Sequence, residues 1–173
     1  MITLSANFCN PISQKIYDDS ISAVPYYQLT CTCGCSGCLV GHGSYPRSIK
    51  AGNARIVLRI SRVKCRICRR THAILIANIV PYSQIALKDQ LDIISDNTTS
   101  KGFSSVMEHN PVIDENNVGS IVRQYRHHWE QRLLSGGIPL SPVSLLIEQC
   151  FSFFGRQFMQ IKSTPNILFL RPT

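Results

Sequence analysis

The sequence predicts an α+β protein in which a small, cysteine-bearing β domain is followed by an all-helical domain. Six of the eight cysteines lie in two clusters on either side of a strand-like segment. Up to Pro81 the apolar residues alternate or form β-branched runs, whereas from Ile85 they recur at three- and four-residue steps. With 173 residues, 44% of them hydrophobic, the chain can form one domain or two small ones.

The cysteine clusters indicate a metal site. The second cluster, Cys65-Arg66-Ile67-Cys68, has unambiguous C-x-x-C spacing, and the first cluster offers more thiols than one ion needs. Zinc prefers four soft ligands in a tetrahedron, and short loops present two thiolates at a time. A glycine-containing turn at Gly52-Asn53 joins the intervening strands. The pattern therefore predicts a zinc ribbon that holds one structural Zn²⁺.

Cys65 and Cys68 are two of the predicted ligands. From the first cluster we favour Cys31 and Cys33, because Gly34 lets the chain turn back with a positive φ. The alternative ligands, which have the more common C-x-x-C spacing, are Cys35 and Cys38.

Other uses of the cysteines fit less well. Residues 1–10 lack the basic and apolar regions of a secretory signal, so disulfides are not expected, and the cysteine usage fits a reducing cytosol. A thioredoxin-like C-x-x-C lies between a strand and a helix, but here a β-branched run precedes it and an apolar run follows. A catalytic zinc keeps an open position for water, which all-thiolate sites do not.

The charge distribution favours a nucleic-acid partner. The chain carries 18 basic and 10 acidic residues, yet no Asp or Glu occurs between Ser20 and Lys88. A surface without acidic counterparts attracts polyanions such as double-stranded DNA. In the predicted strand at 54–64, successive side chains point to opposite faces of the sheet. This places Val63 on the same face as Arg55 and Arg59, and Leu58 and Ile60 on the other face. The alternative is a strand face that is merely solvated. The basic residues predicted to contact DNA are Arg47, Lys50, Arg55, Arg59 and Arg62.

Three helices are predicted after the β domain. An amphipathic helix begins near Ile85, a short helix spans 103–109, and the longest runs from an Asp114 N-cap to Gly136-Gly137. Its buried stripe consists of Val118, Ile121, Val122, Tyr125, Trp129 and Leu133. Three helices with a long, basic last one predict a helix-turn-helix, in which the last helix enters the major groove; a plain helical bundle is the alternative. The polar residues predicted to contact DNA are Asn117, Ser120, Arg123, Gln124 and Arg126.

The predicted organisation has four parts. They are an irregular lead-in segment at 1–28 with a strand near 21–27, the zinc ribbon at 29–82, the helix-turn-helix-like domain at 83–137, and a C-terminal helix and tail at 138–173. The aromatic density of the last part leaves dimerisation open. No stretch is long and apolar enough for a membrane span, so we expect a cytoplasmic, nucleoid-associated protein.

Two sequence segments resemble known proteins. CTCGCSGCLVGHGSYPR and ISRVKCRICRRTHAIL fit the patterns C-x-C-G, G-x-L-x-x-H-G-x-Y-x-R and R-V-x-C-x-x-C-x-x-T-H-A. These patterns are similar to those of a family of uncharacterised bacterial proteins grouped as a domain of unknown function. The resemblance implies that Cys31, Cys33, Cys65 and Cys68 are the ligands. Five further residues match the family pattern, and the resemblance implies no role for them. They are His42, Tyr45, Arg47, Thr71 and His72.

The layout also resembles the N-terminal zinc-binding and helix-turn-helix region of insertion-sequence transposases. There the region precedes a ribonuclease-H-like catalytic domain, but after Gly137 this chain has a single acid, Glu148. A two-metal nuclease needs several carboxylates. We therefore expect a non-catalytic, zinc-dependent DNA-binding protein associated with a mobile element. The alternative is an adaptor that docks onto a transposase or polymerase.

Overall fold

The computed structural model describes residues 1–4, 11–98, 104–139, 143–154 and 159. It is a mixed α+β structure with a four-stranded sheet and several helices. The chain divides into two compact units. We call Met1–Ile49 with Arg55–Gln84 the cysteine unit, and Lys50–Ala54 with Ile85–Thr173 the helical unit.

The sheet combines parallel and antiparallel pairs. Its strands are β1 (Ile2–Leu4), β2 (Leu39–Ala51), β3 (Ala54–Cys65) and β4 (Thr71–Ile76), in the order β1-β4-β3-β2. Strand β1 runs parallel to β4, with Leu4 opposite Ile76, and β3 runs antiparallel to β4, with Val63 opposite His72. The predicted Gly52-Asn53 turn joins β2 to β3, and Gly52 has a φ of +56°, which glycine adopts without a Cβ penalty.

The alternation predicted for β3 holds only over its first half. Leu58 and Ile60 are buried, and Arg55, Val57 and Arg59 are exposed. After Ile60 the pattern shifts by one residue, so Val63 is buried, not on the exposed arginine face, and Arg62 is half-buried. The shift coincides with the start of the pairing with β4, where Arg62 lies opposite Ala73 and the buried Val63 lies opposite the buried His72.

The lead-in segment is more ordered than predicted, and the strand expected near 21–27 is wrong. The segment contains β1, the helix α1 (Gln14–Ser22) and a 3-10 turn at Tyr26–Gln28. Ser13 caps α1, since its Oγ accepts a hydrogen bond from the Ile16 N–H. The repeat that buries Tyr17 and Ile21 is helical, with a step of four residues.

Two side chains of helix α1 form hydrogen bonds with the backbone of β3 and β4. The Gln14 side chain accepts from the Arg59 N–H at 2.7 Å and donates to the Arg59 carbonyl at 3.4 Å. The Tyr17 hydroxyl accepts from the Ser61 N–H at 2.8 Å and donates to the Ile74 carbonyl at 2.9 Å. These side chains thus satisfy backbone groups that a neighbouring strand would otherwise satisfy.

The helical unit contains the three predicted helices, with altered bounds. They are α2 (Leu87–Thr98), α3 (Ser104–His109) and α4 (Glu115–Tyr125). A π-helical turn at Arg126–Glu130 and helix α5 (Gln131–Ser135) continue α4, followed by α6 (Val143–Phe154). Helix α2 contacts both α3 and α4. The predicted stripe from Val118 to Leu133 is buried as expected, but the π turn was not predicted. The tail beyond 159 lies outside the described residues.

Both ends of the α4–α5 helix carry the capping groups that the sequence predicts. The Asp114 carboxylate accepts from the Asn117 N–H at 2.8 Å. At the other end Gly137 has a φ of +69°. The Ile138 N–H donates to the Leu133 carbonyl and the Gly137 N–H to the Leu134 carbonyl, as in a Schellman motif.

The tip of the β2–β3 hairpin is part of the helical unit. The Gly52 N–H donates to the Asp89 carboxylate on α2 at 3.0 Å. The Lys50 carbonyl accepts from the Ala86 N–H at 2.9 Å. Burial raises the pKa of Asp89, and the Gly52 hydrogen bond counteracts part of that increase.

No helix in the described ranges is both long and apolar enough to cross a membrane.

We expect Tyr17→Phe to destabilise the cysteine unit by about 1–3 kcal/mol, because it leaves the Ser61 N–H and the Ile74 carbonyl without their shared partner. Urea denaturation measures the loss. Tyr27→Phe is the matched control, since Tyr27 is 68% exposed and its hydroxyl should contribute little. Equal stability of the two variants would contradict the bridging role of Tyr17.

Candidate functional site

Four cysteines from two loops converge in the cysteine unit. The sulfurs of Cys31, Cys33, Cys65 and Cys68 all lie within 4.8 Å of one another. Cys31 Sγ is 3.5 Å from Cys68 Sγ, and Cys33 Sγ is 3.9 Å from Cys65 Sγ. The cysteine pairs favoured from the sequence are therefore the ones that come together.

The spacing of these sulfurs suits a tetrahedral ion. Four thiolates at about 2.3 Å from a central Zn²⁺ would be about 3.8 Å apart, between the two observed distances. None of the described cysteines forms a disulfide, so the thiols are free to bind. The donor set is all sulfur, which suits a closed structural site and leaves no position for a reacting water. We name this group the four-cysteine centre.

The backbone prepares part of this centre for metal binding. Burial acts to raise the pKa of Cys65, but the Cys68 N–H, the Cys38 thiol and the Ile67 N–H together lower it to about 6. The Cys68 N–H lies 3.4 Å from Cys65 Sγ. For Cys33, the Cys35 N–H acts to lower the pKa, but hydrogen bonding to Cys31 and burial raise it to about 12. The metal-free centre therefore keeps protons that an ion would displace on binding.

His72 supports the centre from β4. It is 4% exposed, and its Nε2 lies 3.2 Å from Cys31 Sγ. Burial lowers the pKa of His72, and the positive charges of the N-terminal amino group and Arg70 add to the effect. A neutral imidazole that donates Nε2–H would orient Cys31 and stabilise its thiolate. His72 belongs to the T-H-A part of the sequence motif, and its position on β4 brings it to Cys31.

The alternative ligands Cys35 and Cys38 lie beside the centre. Cys38 is buried, with Sγ 3.3 Å from Cys65 Sγ and 3.1 Å from the Cys35 carbonyl oxygen. The Cys38 thiol donates to the Cys35 carbonyl. The Cys35 thiol and burial raise the pKa of Cys38, so this thiol stays protonated beside the more acidic Cys65. Cys35 Sγ is within 3.6 Å of the Ser36 carbonyl.

Two of the predicted DNA contacts are engaged within the protein. The Arg47 guanidinium donates to the carbonyls of Val80 and Ser83, at 2.5 and 2.7 Å. Lys50 is 9% exposed, and its ammonium donates to Asn117 Oδ1 at 2.7 Å. These two cations hold loops and helix ends in place and are poorly available to a phosphate.

The other basic residues of β3 differ in exposure. Arg55 and Arg59 are exposed on one face, as predicted. Arg62 is half-buried, and its Nε atom is buried without a hydrogen-bond partner in the part of the chain that the structure describes.

The polar face of α4 and the following π turn is open. Ser120, Arg123, Gln124 and Arg126 are exposed, whereas Asn117 is half-buried because it binds Lys50. A shallow, open depression of about 460 Å³ runs along this face. It is lined by Gly119, Val122, Arg123, Arg126 and His127. A Cβ at Gly119 would meet nothing within 4 Å, so a ligand can approach the helix backbone there.

Comparison with known proteins adds a partial family match. A family model described as a domain of unknown function, DUF6431, matches residues 31–110. No curated protein matches the chain. No solved structure matches it either. The matched segment contains the four-cysteine centre together with α2 and α3, and it ends before α4.

The choice of ligands can be tested with two neighbouring cysteines. We expect Cys33→Ser to lose the metal and lower the melting temperature, because it removes a sulfur of the centre. Cys35→Ser is the matched control and should keep about one zinc per molecule. Elemental analysis and thermal melting measure both effects. Metal loss in Cys35→Ser with retention in Cys33→Ser would place Cys35 and Cys38 in the site instead.

Asn117→Ala should reduce stability by about 1.5–3 kcal/mol, because it leaves the Lys50 ammonium with Asp114 at 3.9 Å as its remaining ion-pair partner. Chemical denaturation provides the measurement, and Asn116→Ala, at an exposed position on the same helix, is the control. If both variants are as stable as the parent, the Lys50–Asn117 contact contributes nothing measurable.

Proposed function

We propose that this protein binds double-stranded DNA, with one structural Zn²⁺ in the four-cysteine centre, and that it acts by binding and not by catalysis. The proposal has two parts. The cysteine unit supplies sequence-independent attraction for the phosphate backbone, and the polar face of α4 reads base edges.

The uneven distribution of charge carries the proposal. The cysteine unit contains nine Lys and Arg against two Asp, a net charge of +7, whereas the helical unit contains nine against eight acids, a net +1. Nearly all of the chain's net +8 therefore belongs to the cysteine unit. A concentrated positive charge of this size raises the local concentration of a polyanion and releases its counterions on binding.

Helix α4 supports the second part. Its apolar stripe is buried and it packs against α2, so its polar face is presented by a fixed element. Arg and Gln are residue types that recognise guanine and adenine edges, and Arg123 and Gln124 are both exposed. In a helix-turn-helix the last helix makes such contacts. Because the helical unit is almost neutral, we propose that it contributes more to the sequence specificity of DNA binding than to the affinity.

The absence of catalysis is part of the proposal. Among the acids, Asp89 accepts from Gly52, Asp114 caps α4, and Asp92 pairs with Lys88 at 2.6 Å. Carboxylates used in this way are poor candidates for a two-metal site. An association with mobile elements extends the proposal and rests on the sequence resemblance described above.

A protein-docking function is the second candidate. Leu134 on α5 and Leu145 on α6 are 52% and 44% exposed. Exposed leucines of this kind can anchor a protein partner such as a transposase or polymerase, or a second copy of the chain. An adaptor would keep its partner when the DNA-contact arginines are replaced and lose it with Leu134→Ser.

Base readout by α4 can be measured on a site selected from random DNA. We expect Arg123→Ala to weaken binding to that site by about 1–3 kcal/mol and to change random-DNA binding little. Arg126→Ala should weaken both about equally, because it lies farther along the helix and would meet phosphate. Fluorescence anisotropy gives the two affinities and their ratio.

Gln131→Ala, an exposed change on α5, is the control for this experiment. An unchanged ratio of specific to random affinity in Arg123→Ala would remove base readout from α4. If the unmodified protein binds no duplex even at low salt, the DNA-binding function itself is wrong.

A further inference from the structure

The loop that carries two of the metal ligands has an unusual surface. This loop, Cys65–Arg70, is named here the second knuckle. Ile67, at its tip, is 70% exposed, although an isoleucine is usually buried. Arg66, Arg69 and Arg70 are all exposed around it. The second knuckle therefore combines one exposed apolar residue with three exposed arginines.

These three arginines have no acidic neighbour in sequence, since none occurs from Ile21 to Lys88. Arg47 and Lys50 are engaged within the protein, and Lys15 lies on α1 with Asp18 and Asp19. Arg62 and Lys64 are half-buried, so the exposed cationic side chains of the cysteine unit that are distant in sequence from acids lie on β3 and on the second knuckle. They are Arg55, Arg59, Arg66, Arg69 and Arg70.

The backbone of the second knuckle is fixed from several sides. The Arg66 N–H donates to the Cys38 carbonyl, and the Cys65 N–H donates to the Arg70 carbonyl, both at 2.9 Å. The Arg69 N–H donates to the Cys65 carbonyl at 3.0 Å. With two metal ligands in the same loop, little backbone entropy remains to be lost when a partner binds.

Arg69 adopts a backbone conformation that favours glycine. Its φ is +62°, which costs a residue with a Cβ roughly 1 kcal/mol or more. The guanidinium of Arg69 is thus held on a loop residue whose backbone angle is fixed and whose side chain is exposed. The positive φ also makes Arg69→Gly a suitable test substitution. Glycine removes the guanidinium and adopts this φ without the steric cost of a Cβ.

We infer that the second knuckle is a DNA-contacting element, in which Arg66, Arg69 and Arg70 bind backbone phosphates and Ile67 contacts sugars or base edges in a groove. This inference rests on the proposed DNA-binding function and adds a surface that the sequence analysis did not assign. Arginines beside an inserted apolar residue are the combination that groove-binding proteins use. Because the loop backbone is fixed, it presents the arginines and the isoleucine to DNA together.

The first test removes charge from the knuckle in the full-length, zinc-loaded protein. Arg66→Ala with Arg70→Ala should reduce the slope of log affinity against log salt by about 2 on a random duplex. Lys15→Ala with Lys88→Ala is the matched control, since it removes the same charge from exposed positions beside acids. This control should leave the slope unchanged, and zinc content should be the same in all variants.

The second test uses two single substitutions in the second knuckle, Arg69→Gly and Ile67→Ser. Arg69→Gly should reduce the slope by about 1 without lowering the melting temperature. Ile67→Ser should weaken binding at every salt concentration and leave the slope unchanged, because no charge is removed.

The outcomes separate this inference from the proposed function. If the parent binds DNA and the arginine pair has the same slope as the lysine pair, the knuckle does not touch phosphate and the inference is overturned, while DNA binding stands. If the parent binds no duplex, both are overturned. Equal or tighter binding of an acidic polypeptide, lost in the same arginine pair, would assign the knuckle to a protein partner and also overturn the inference.

Discussion

The convergence of four cysteine sulfurs is the constraint on which the cysteine unit depends. Two loops, one before β2 and one between β3 and β4, must bring their sulfurs to within 4.8 Å of one another. Four thiolates around a divalent ion would carry a formal excess of two negative charges, which groups around the site would have to compensate. The Cys68 N–H, 3.4 Å from Cys65 Sγ, and His72 Nε2, 3.2 Å from Cys31 Sγ, lie where they would supply this compensation.

Much of the helical unit could be predicted from residues whose effects are local. Asp114 caps α4 through a hydrogen bond to a residue three positions on, and Gly137 ends α5 because of its own φ. The buried stripe follows from helical periodicity. Capping residues and helical periodicity can be recognised without knowing what the helix packs against. The C-x-x-C spacing of Cys65 and Cys68 is a local signal in the same sense. The π turn at Arg126–Glu130 could not be predicted, because no local signal distinguishes it from an α-helix.

The features that sequence reasoning missed depend on partners distant in the chain. Gln14 and Tyr17 matter because a stretch of β3 needs hydrogen bonds, and Asn117 is half-buried because it accepts from Lys50. Arg62 and Val63 depart from the predicted alternation in the segment that pairs with β4. In these cases partners distant in sequence decide what a local pattern leaves open.

The assignment of the hairpin tip to the helical unit has a consequence for dissecting the chain. A fragment that starts at Ile85 would contain α2 to α6 but would lack Lys50 and Gly52. The Asp89 carboxylate would then lose its Gly52 N–H partner, and Asn117 would lose the Lys50 ammonium. The unit is therefore discontinuous in sequence, and no single cut releases it intact. A fragment that keeps these two contacts must join residues 50–54 to the segment that begins at Ile85.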